Sequence, residues 1–220
     1  MKKLLILIFS TLFFSVYSDK QKSVILIDPA GHSGSSGRKL QEGSERGATL
    51  KFAESLQKKL EEKYNARVIL TRSPGEEILP FQNASFTNRL GADFFIRLQL
   101  YRESTIKPKI FLYHLVFDPM VDCAKRNIDS LTFISVNQAH FANIHKTKSF
   151  GQKMYESLNL RLYKKYFDCN PLQGLPLKHL VGIQAPALTI ECGISYDDQW
   201  KVLVDPLVDS LRFIEGLKVK

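Results

Sequence analysis

Val24-Ile25-Leu26-Ile27 is a short apolar run, rich in β-branched residues, that stops at Asp28-Pro29. Such a run predicts a strand covered on both faces, as in a parallel sheet. A polar loop rich in glycine and serine follows, over residues 30–44. A helix then begins near Glu45, with Phe52, Ala53, Leu56 and Leu60 at helical spacing and lysines and glutamates between them. Arg67-Val68-Ile69-Leu70-Thr71 is a second strand, so the opening segment is a β-α-β unit with a right-handed crossover. The alternation continues. Residues 84–90 form a short helix stopped by Gly91-Ala92-Asp93, and residues 94–100 and 110–116 form two more strands. Residues 117–146 show no clean period and are assigned as an insertion, loop-rich with some helix. Phe150, Met154, Leu158 and Leu162 mark a long amphipathic helix, and Ala187-Leu188-Thr189-Ile190 another buried strand. Asp205-Pro206 carries a helix N-cap and first-turn signature, with Leu207, Leu211 and Ile214 on the core face. The expected fold is α/β: a single domain with a mixed, mostly parallel sheet of about five or six strands and helices on both faces.

The first residues stand apart from this pattern. Lys2 and Lys3 precede an apolar run over residues 4–14, broken only by Ser10 and Thr11, and Val16-Tyr17-Ser18 supplies a cleavage signal before Asp19. This reads as a secretory signal peptide over residues 1–18. The run falls short of the ~20 residues a membrane span needs, so no stable membrane anchor remains after cleavage. The domain is then 19–220, exported to the periplasm or cell wall. Of 220 residues 44% are hydrophobic and 24% charged, which excludes a disordered or collagen-like chain and a disulfide scaffold. Loss of Lys2 and Lys3 lowers the net charge from +9 to +7. A basic exported protein suits an anionic wall polymer or membrane surface. The lysines are scattered singly, not clustered into a stripe interleaved with aromatics, so no nucleic-acid partner is expected. Cys123, Cys169 and Cys192 match no zinc ribbon or redox motif. Cys123 with Cys169 is a candidate disulfide, and Cys192 reads as a buried small residue.

Ligands of open α/β sheets bind beyond the carboxyl ends of the strands. The polar residues expected there are Asp28 and His32 after the first strand, Glu45 at the helix start, Gln99 at the end of the third strand, and Glu191 after the 187–190 run. An imidazole and a carboxylate at one rim suit a zinc site with an open position for water, and a second carboxylate could move the proton of that water. Taken singly, His32 reads as a loop histidine and Glu45 as a charge favoured by the helix dipole. Glu191, directly after an apolar run, needs a partner.

These residues resemble a known family. Val24-Ile25-Leu26-Ile27-Asp28-Pro29-Ala30-Gly31-His32-Ser33-Gly34 is similar to the opening strand and histidine loop of the zinc-dependent N-acetylmuramoyl-L-alanine amidases, which cut bacterial peptidoglycan, with one extra residue between Pro29 and His32. Glu45, followed by Leu50 and Ala53, resembles the family's zinc glutamate. Asn88-Arg89-Leu90-Gly91-Ala92-Asp93-Phe94-Phe95-Ile96 resembles the segment leading to the second zinc histidine, and Pro186-Ala187-Leu188-Thr189-Ile190-Glu191-Cys192-Gly193-Ile194 the strand that delivers the catalytic glutamate. The resemblance implies hydrolysis of the amide between N-acetylmuramic acid and L-alanine. His32, Glu45 and the position of Gln99 would hold zinc, Glu191 would act as general base and then acid, and peptidoglycan would be the partner.

At the second zinc histidine this chain has Gln99, a poor ligand, and Arg97 lies two positions earlier on the same strand face. A guanidinium within ~6 Å of zinc repels it by roughly 5 kcal/mol at an effective dielectric near 20. Three readings stand open. Zinc binds through His32, Glu45 and a substitute: Gln99, or one of His114, His140, His145 and His179. Of these His114 is best placed, although a locally satisfied strand histidine is its simpler reading. Alternatively Arg97 takes the metal's place, pairing with Glu45 or Glu191, and leaves an inactive module that still binds peptidoglycan or regulates wall turnover. Or Arg97 snorkels to solvent.

Overall fold

The computed structural model describes residues 22–76, 79–116, 136–214 and 216–220. The predicted signal peptide, Cys123 and most of the 117–146 insertion lie outside the described residues.

Strand β1 (Ser23–Pro29) leads through the polar loop into helix α1 (Glu45–Lys63), which returns to strand β2 (Ala66–Leu70) beside β1. Helix α2 (Pro80–Arg89), strand β3 (Phe94–Arg102) and strand β4 (Lys109–Leu115) follow. After a 3-10 stretch at Val136–Asn143 come helix α3 (Ile144–Leu158), strands β5 (Asp168–Cys169), β6 (Gln173–Leu175) and β7 (Ala187–Ile194), and helix α4 (Val204–Ser210). The strand order is β2-β1-β3-β7-β4-β5, with β6 also on β4. Only β4 against β7 is antiparallel among these pairs. The α/β class and the mixed, mostly parallel sheet are as expected, and two short strands, β5 and β6, bring the sheet to seven.

Alternation sorts the strand residues onto two faces. On one, Ile25, Ile27, Ile96, Leu98, Leu188 and Ile190 pack with Phe52 and Leu56 of α1, Met154 of α3 and Leu207 of α4. On the other, Leu26, Phe95 and Ala187 meet Ala84 of α2 and Leu180, which covers only the amino-terminal half of that face. Beyond it the face turns polar.

Three boundaries differ from expectation. Helix α2 starts at Pro80 rather than Ala84, because proline suits the first helical position and Gln82 Oε1 accepts the Leu79 N–H at 2.9 Å. Helix α3 stops at Leu158, leaving Leu162 more than half exposed. Asn159 ends it: its Nδ2 donates to the Tyr155 carbonyl at 3.2 Å and the Cys169 carbonyl at 3.4 Å, competing with the next turn. Asp205 lies in the first turn of α4 rather than at its cap, since a 3-10 turn (Gln199–Leu203) leads into the helix. Among the described residues Cys169 and Cys192 are free thiols, and Cys192 is fully buried, as expected of a small apolar residue.

The rings of Phe52 and Trp200 stack 5.3 Å apart inside the α1–α4 layer. Phe52→Ala should therefore cost about 3–5 kcal/mol, read as a lower urea midpoint by circular dichroism. A loss below about 1 kcal/mol would show that this layer repacks freely.

Candidate functional site

Register places the polar residues in two rows across the uncovered face. In the first, Asp28, Arg97, Thr189 and Tyr113 are neighbours on β1, β3, β7 and β4. In the second, Gln99, Glu191 and Phe111 are neighbours on β3, β7 and β4. Tyr101 follows on β3, opposite Gly193. A Cβ at position 193 would sit 2.5 Å from the Tyr101 ring, so only glycine lets that ring lie over β7. Tyr101, Phe111 and Tyr113, all partly exposed, make an aromatic floor beside Glu191.

Glu45 is buried, at 4% exposure. Strand β1 ends at Pro29, opposite Leu98, so the next inward-facing amide of β3, Leu100 N–H, has no strand beside it. Glu45 Oε1 accepts that amide at 3.0 Å, and Oε2 accepts the Arg38 N–H, also at 3.0 Å. A loop donor thus reaches α1 because Gly37 takes φ +72°, and a Cβ there would stand 2.7 Å from Oε2 of Glu45.

The loop that carries Arg38 is tied at its other end. Asp197, just beyond β7, accepts three consecutive amides: Gln41 and Glu42 on Oδ1 at 2.9 and 3.2 Å, and Gly43 on Oδ2 at 2.6 Å. Leu40 is buried between these two anchors. The guanidinium of Arg38 then spans to Glu191, with Nη1 2.6 Å from Oε1, and lies 5.9 Å from the centre of the Tyr101 ring. Tyr113 donates its hydroxyl to Glu191 Oε2 at 3.2 Å. Burial acts to lower the Arg38 guanidinium, but the hydrogen bond and charge of Glu191 outweigh it and raise it. Burial, and then the charge of Glu191, push the Tyr113 phenol up to about 12.

The fold thus joins Glu45 and Glu191 through one residue, Arg38, which the sequence did not single out. Its partner lies 153 positions away, and the only local hint was a glycine before an arginine between His32 and Glu45. His32 sits in a tight turn, its Nδ1 accepting the Gly34 N–H at 3.2 Å. Arg97 and Gln99 share a face as predicted, but Arg97 pairs with Asp28, Nη1 to Oδ2 at 2.5 Å, and with neither Glu45 nor Glu191. The register causes this, since Asp28 lies directly across from Arg97 while Glu191 is two residues further along. Thr71 Oγ1 donates to the other Asp28 oxygen at 2.6 Å.

Three of the four substitute histidines lie elsewhere. His114 points to the face opposite Tyr113, with Nδ1 3.1 Å from the Leu115 carbonyl. His140 is buried beside Phe141. His145 lines a cavity of about 650 Å³ at the amino ends of β3 and β7, with Asn88, Asp93 and Lys153, away from Glu191. His179 approaches Thr189, Nε2 to Oγ1 at 2.8 Å, over the first polar row.

A profile of the N-acetylmuramoyl-L-alanine amidase family matches residues 25–209. The chain belongs to this family of peptidoglycan amidases. No curated protein matches it closely enough to stand as a relative. Among solved structures, the catalytic domain of the amidase CwlV from Bacillus (Paenibacillus) polymyxa var. colistinus is 15% identical with a TM-score of 0.60, covering 86% of this chain and 96% of that one. An amidase from Clostridium difficile 630 is 18% identical with a TM-score of 0.59, over 89% and 94%. The apo form of Ami1 from Mycobacterium abscessus is 14% identical with a TM-score of 0.61, over 86% and 96%. At such identities these structures establish the shared fold.

The family is generally zinc-dependent, and the residues here do not fit the ion. Among the described residues no group of three or more histidine, cysteine, aspartate or glutamate side chains is disposed to hold a metal. Both oxygens of Glu45 hold main-chain amides, the residue facing Glu191 on β3 is the neutral Gln99, and Arg38 puts a positive charge on Glu191. A divalent ion ~4 Å from a guanidinium is repelled by roughly 8 kcal/mol at an effective dielectric near 20.

His179 generates a prediction. Burial, with Arg97 adding to it, lowers its imidazole from 6.5 to about 4. The unfolded chain takes up this proton first, so stability falls as pH drops from 6.5 towards 4. His179→Gln keeps a donor for Thr189 and should flatten the melting temperature over that interval. An unchanged pH slope would refute the assignment.

Proposed function

We propose that the chain is exported and acts on peptidoglycan, cleaving the amide between the lactyl group of N-acetylmuramic acid and L-alanine of the stem peptide. The observation that carries this is Glu191, delivered by the central strand β7 onto an aromatic floor, in a chain matched by the amidase family over 25–209. Sugar and peptide would lie along Tyr101, Phe111 and Tyr113. Glu191 takes a proton from the attacking water and returns it to the leaving amine, the usual work of one carboxylate in amide hydrolysis. Tyr113 fixes Oε2, and Arg38, with donors beyond the one on Oε1, can meet the negative charge that develops on the carbonyl oxygen. The basic chain favours the anionic wall, and no helix among the described residues is long and apolar enough to cross a membrane.

One contact favours a second reading, a wall-binding module without cleavage: the 2.6 Å pair of Arg38 with Glu191 occupies the oxygen that must take the proton. The two separate on purified wall sacculi. Under the first reading the protein releases stem peptides, and Glu191→Gln lowers the rate at least about 100-fold while leaving co-sedimentation with sacculi intact. Release unchanged in Glu191→Gln removes Glu191 from the reaction. A wild-type protein that co-sediments and releases nothing establishes the second reading.

A further inference from the structure

We propose that Arg38 is the resident cation of this site, standing where the family's chemistry calls for a metal, and that Asp197 is the residue that positions it. The inference concerns how the two acids are compensated, and holds whether or not the wall is cut.

Two acids of the family pattern, Glu45 and Glu191, are present, and each needs a positive or donor partner once it leaves water. In this chain one residue supplies both. The Arg38 main chain donates to Glu45 Oε2, and its side chain pairs with Glu191 Oε1. Glu191 is mostly buried, with 15% of its side chain exposed, while the arginine is 46% exposed. The arginine therefore reaches inward from the loop to meet a charge the sheet has already fixed. Its neighbours fit a cation and not a second ligand sphere: the Tyr101 ring lies 5.9 Å from the guanidinium carbon, and the group facing Glu191 across β3 is the amide of Gln99. Arg97, the other candidate, is held by Asp28 in the neighbouring row.

The loop is built to keep this arrangement. Gly37 at φ +72° allows the chain to close on Glu45, and a Cβ there would collide with the carboxylate. The Glu45 N–H donates to the Arg38 carbonyl at 2.8 Å, so residues 38 and 45 are joined through both main chain and side chain. Asp197 gathers the amides of Gln41, Glu42 and Gly43, and a Cβ on Gly43 would lie 2.9 Å from its Oδ2. Because Asp197 follows β7, the strand that carries Glu191 also anchors the loop that neutralises it.

The test is metal content. Wild-type protein equilibrated with excess zinc chloride and desalted should hold only traces of zinc by elemental analysis, and its melting temperature should not move with zinc or with a chelator. The Arg38→Met/Gln99→His double variant removes the cation and restores an imidazole. It should hold at least about tenfold more zinc than wild type and gain melting temperature when zinc is added. Asp197→Asn, with the loop loosened, should raise protease cleavage within residues 33–44 while leaving the circular dichroism of the sheet unchanged. Stoichiometric zinc in the wild type that is lost in His32→Ala would overturn the proposal, and so would a folded double variant as metal-poor as the wild type. These readouts do not depend on amidase activity, so they stand or fall apart from the sacculus assay.

Discussion

A carboxylate almost wholly removed from water has to be compensated where it lies, and the way Glu45 is compensated arranges the rest of the site. Its two oxygens take main-chain amides from separate places, Leu100 beyond the end of β1 and Arg38 in the loop. The first is available only because β3 outruns β1. The second is available only because glycine at 37 turns the loop inward. Charge-assisted bonds of this type are about twice as strong as neutral ones, so α1, β3 and the loop are locked at one point. The placement of the Arg38 side chain over β7 follows from that lock.

Electrostatics on the uncovered face then divides into two local pairs instead of one shared cluster. Asp28 neutralises Arg97 in one row and Arg38 neutralises Glu191 in the next. Each pair has an additional hydroxyl, Thr71 on Asp28 and Tyr113 on Glu191. His179 stays uncharged beside the first pair because burial and Arg97 both oppose a proton there. The pairs are offset by two residues along the strands, so neither cation can serve both acids without leaving its row.

Much of the fold was legible because its signals are local. A four-residue apolar run marked β1, Ala187-Leu188-Thr189-Ile190 marked β7, and the spacing of Phe52, Leu56 and Leu60 marked α1. The ends were harder. Proline at the head of α2 and the Asn159 side chain at the tail of α3 act through capping geometry, which apolar periodicity does not register. The site was legible in part. Strand alternation correctly put Arg97 and Gln99 on one face, but the partner of Arg97 depended on the β1–β3 register, which no local pattern encodes. Arg38 was invisible for the same reason on a larger scale: its loop looks like any other glycine- and serine-rich connection until Asp197 and Glu45 pin it from two sides.

Fold and chemistry separate in this chain, and the separation has a physical basis. The amidase architecture survives because it rests on the two apolar layers and on the Glu45 lock, none of which needs a metal. The chemistry rests on a few groups at the strand ends, where the neutral Gln99 opposite Glu191 and one inward-reaching arginine set the charge without disturbing the core. A metal site holds its acids close together with no cation until the ion arrives, and their mutual repulsion costs stability in the empty protein. An arginine carried on the chain's own loop avoids that cost, since the cation is present as soon as the loop closes on Glu45. The site is then assembled by folding alone, with Arg38 already paired to Glu191.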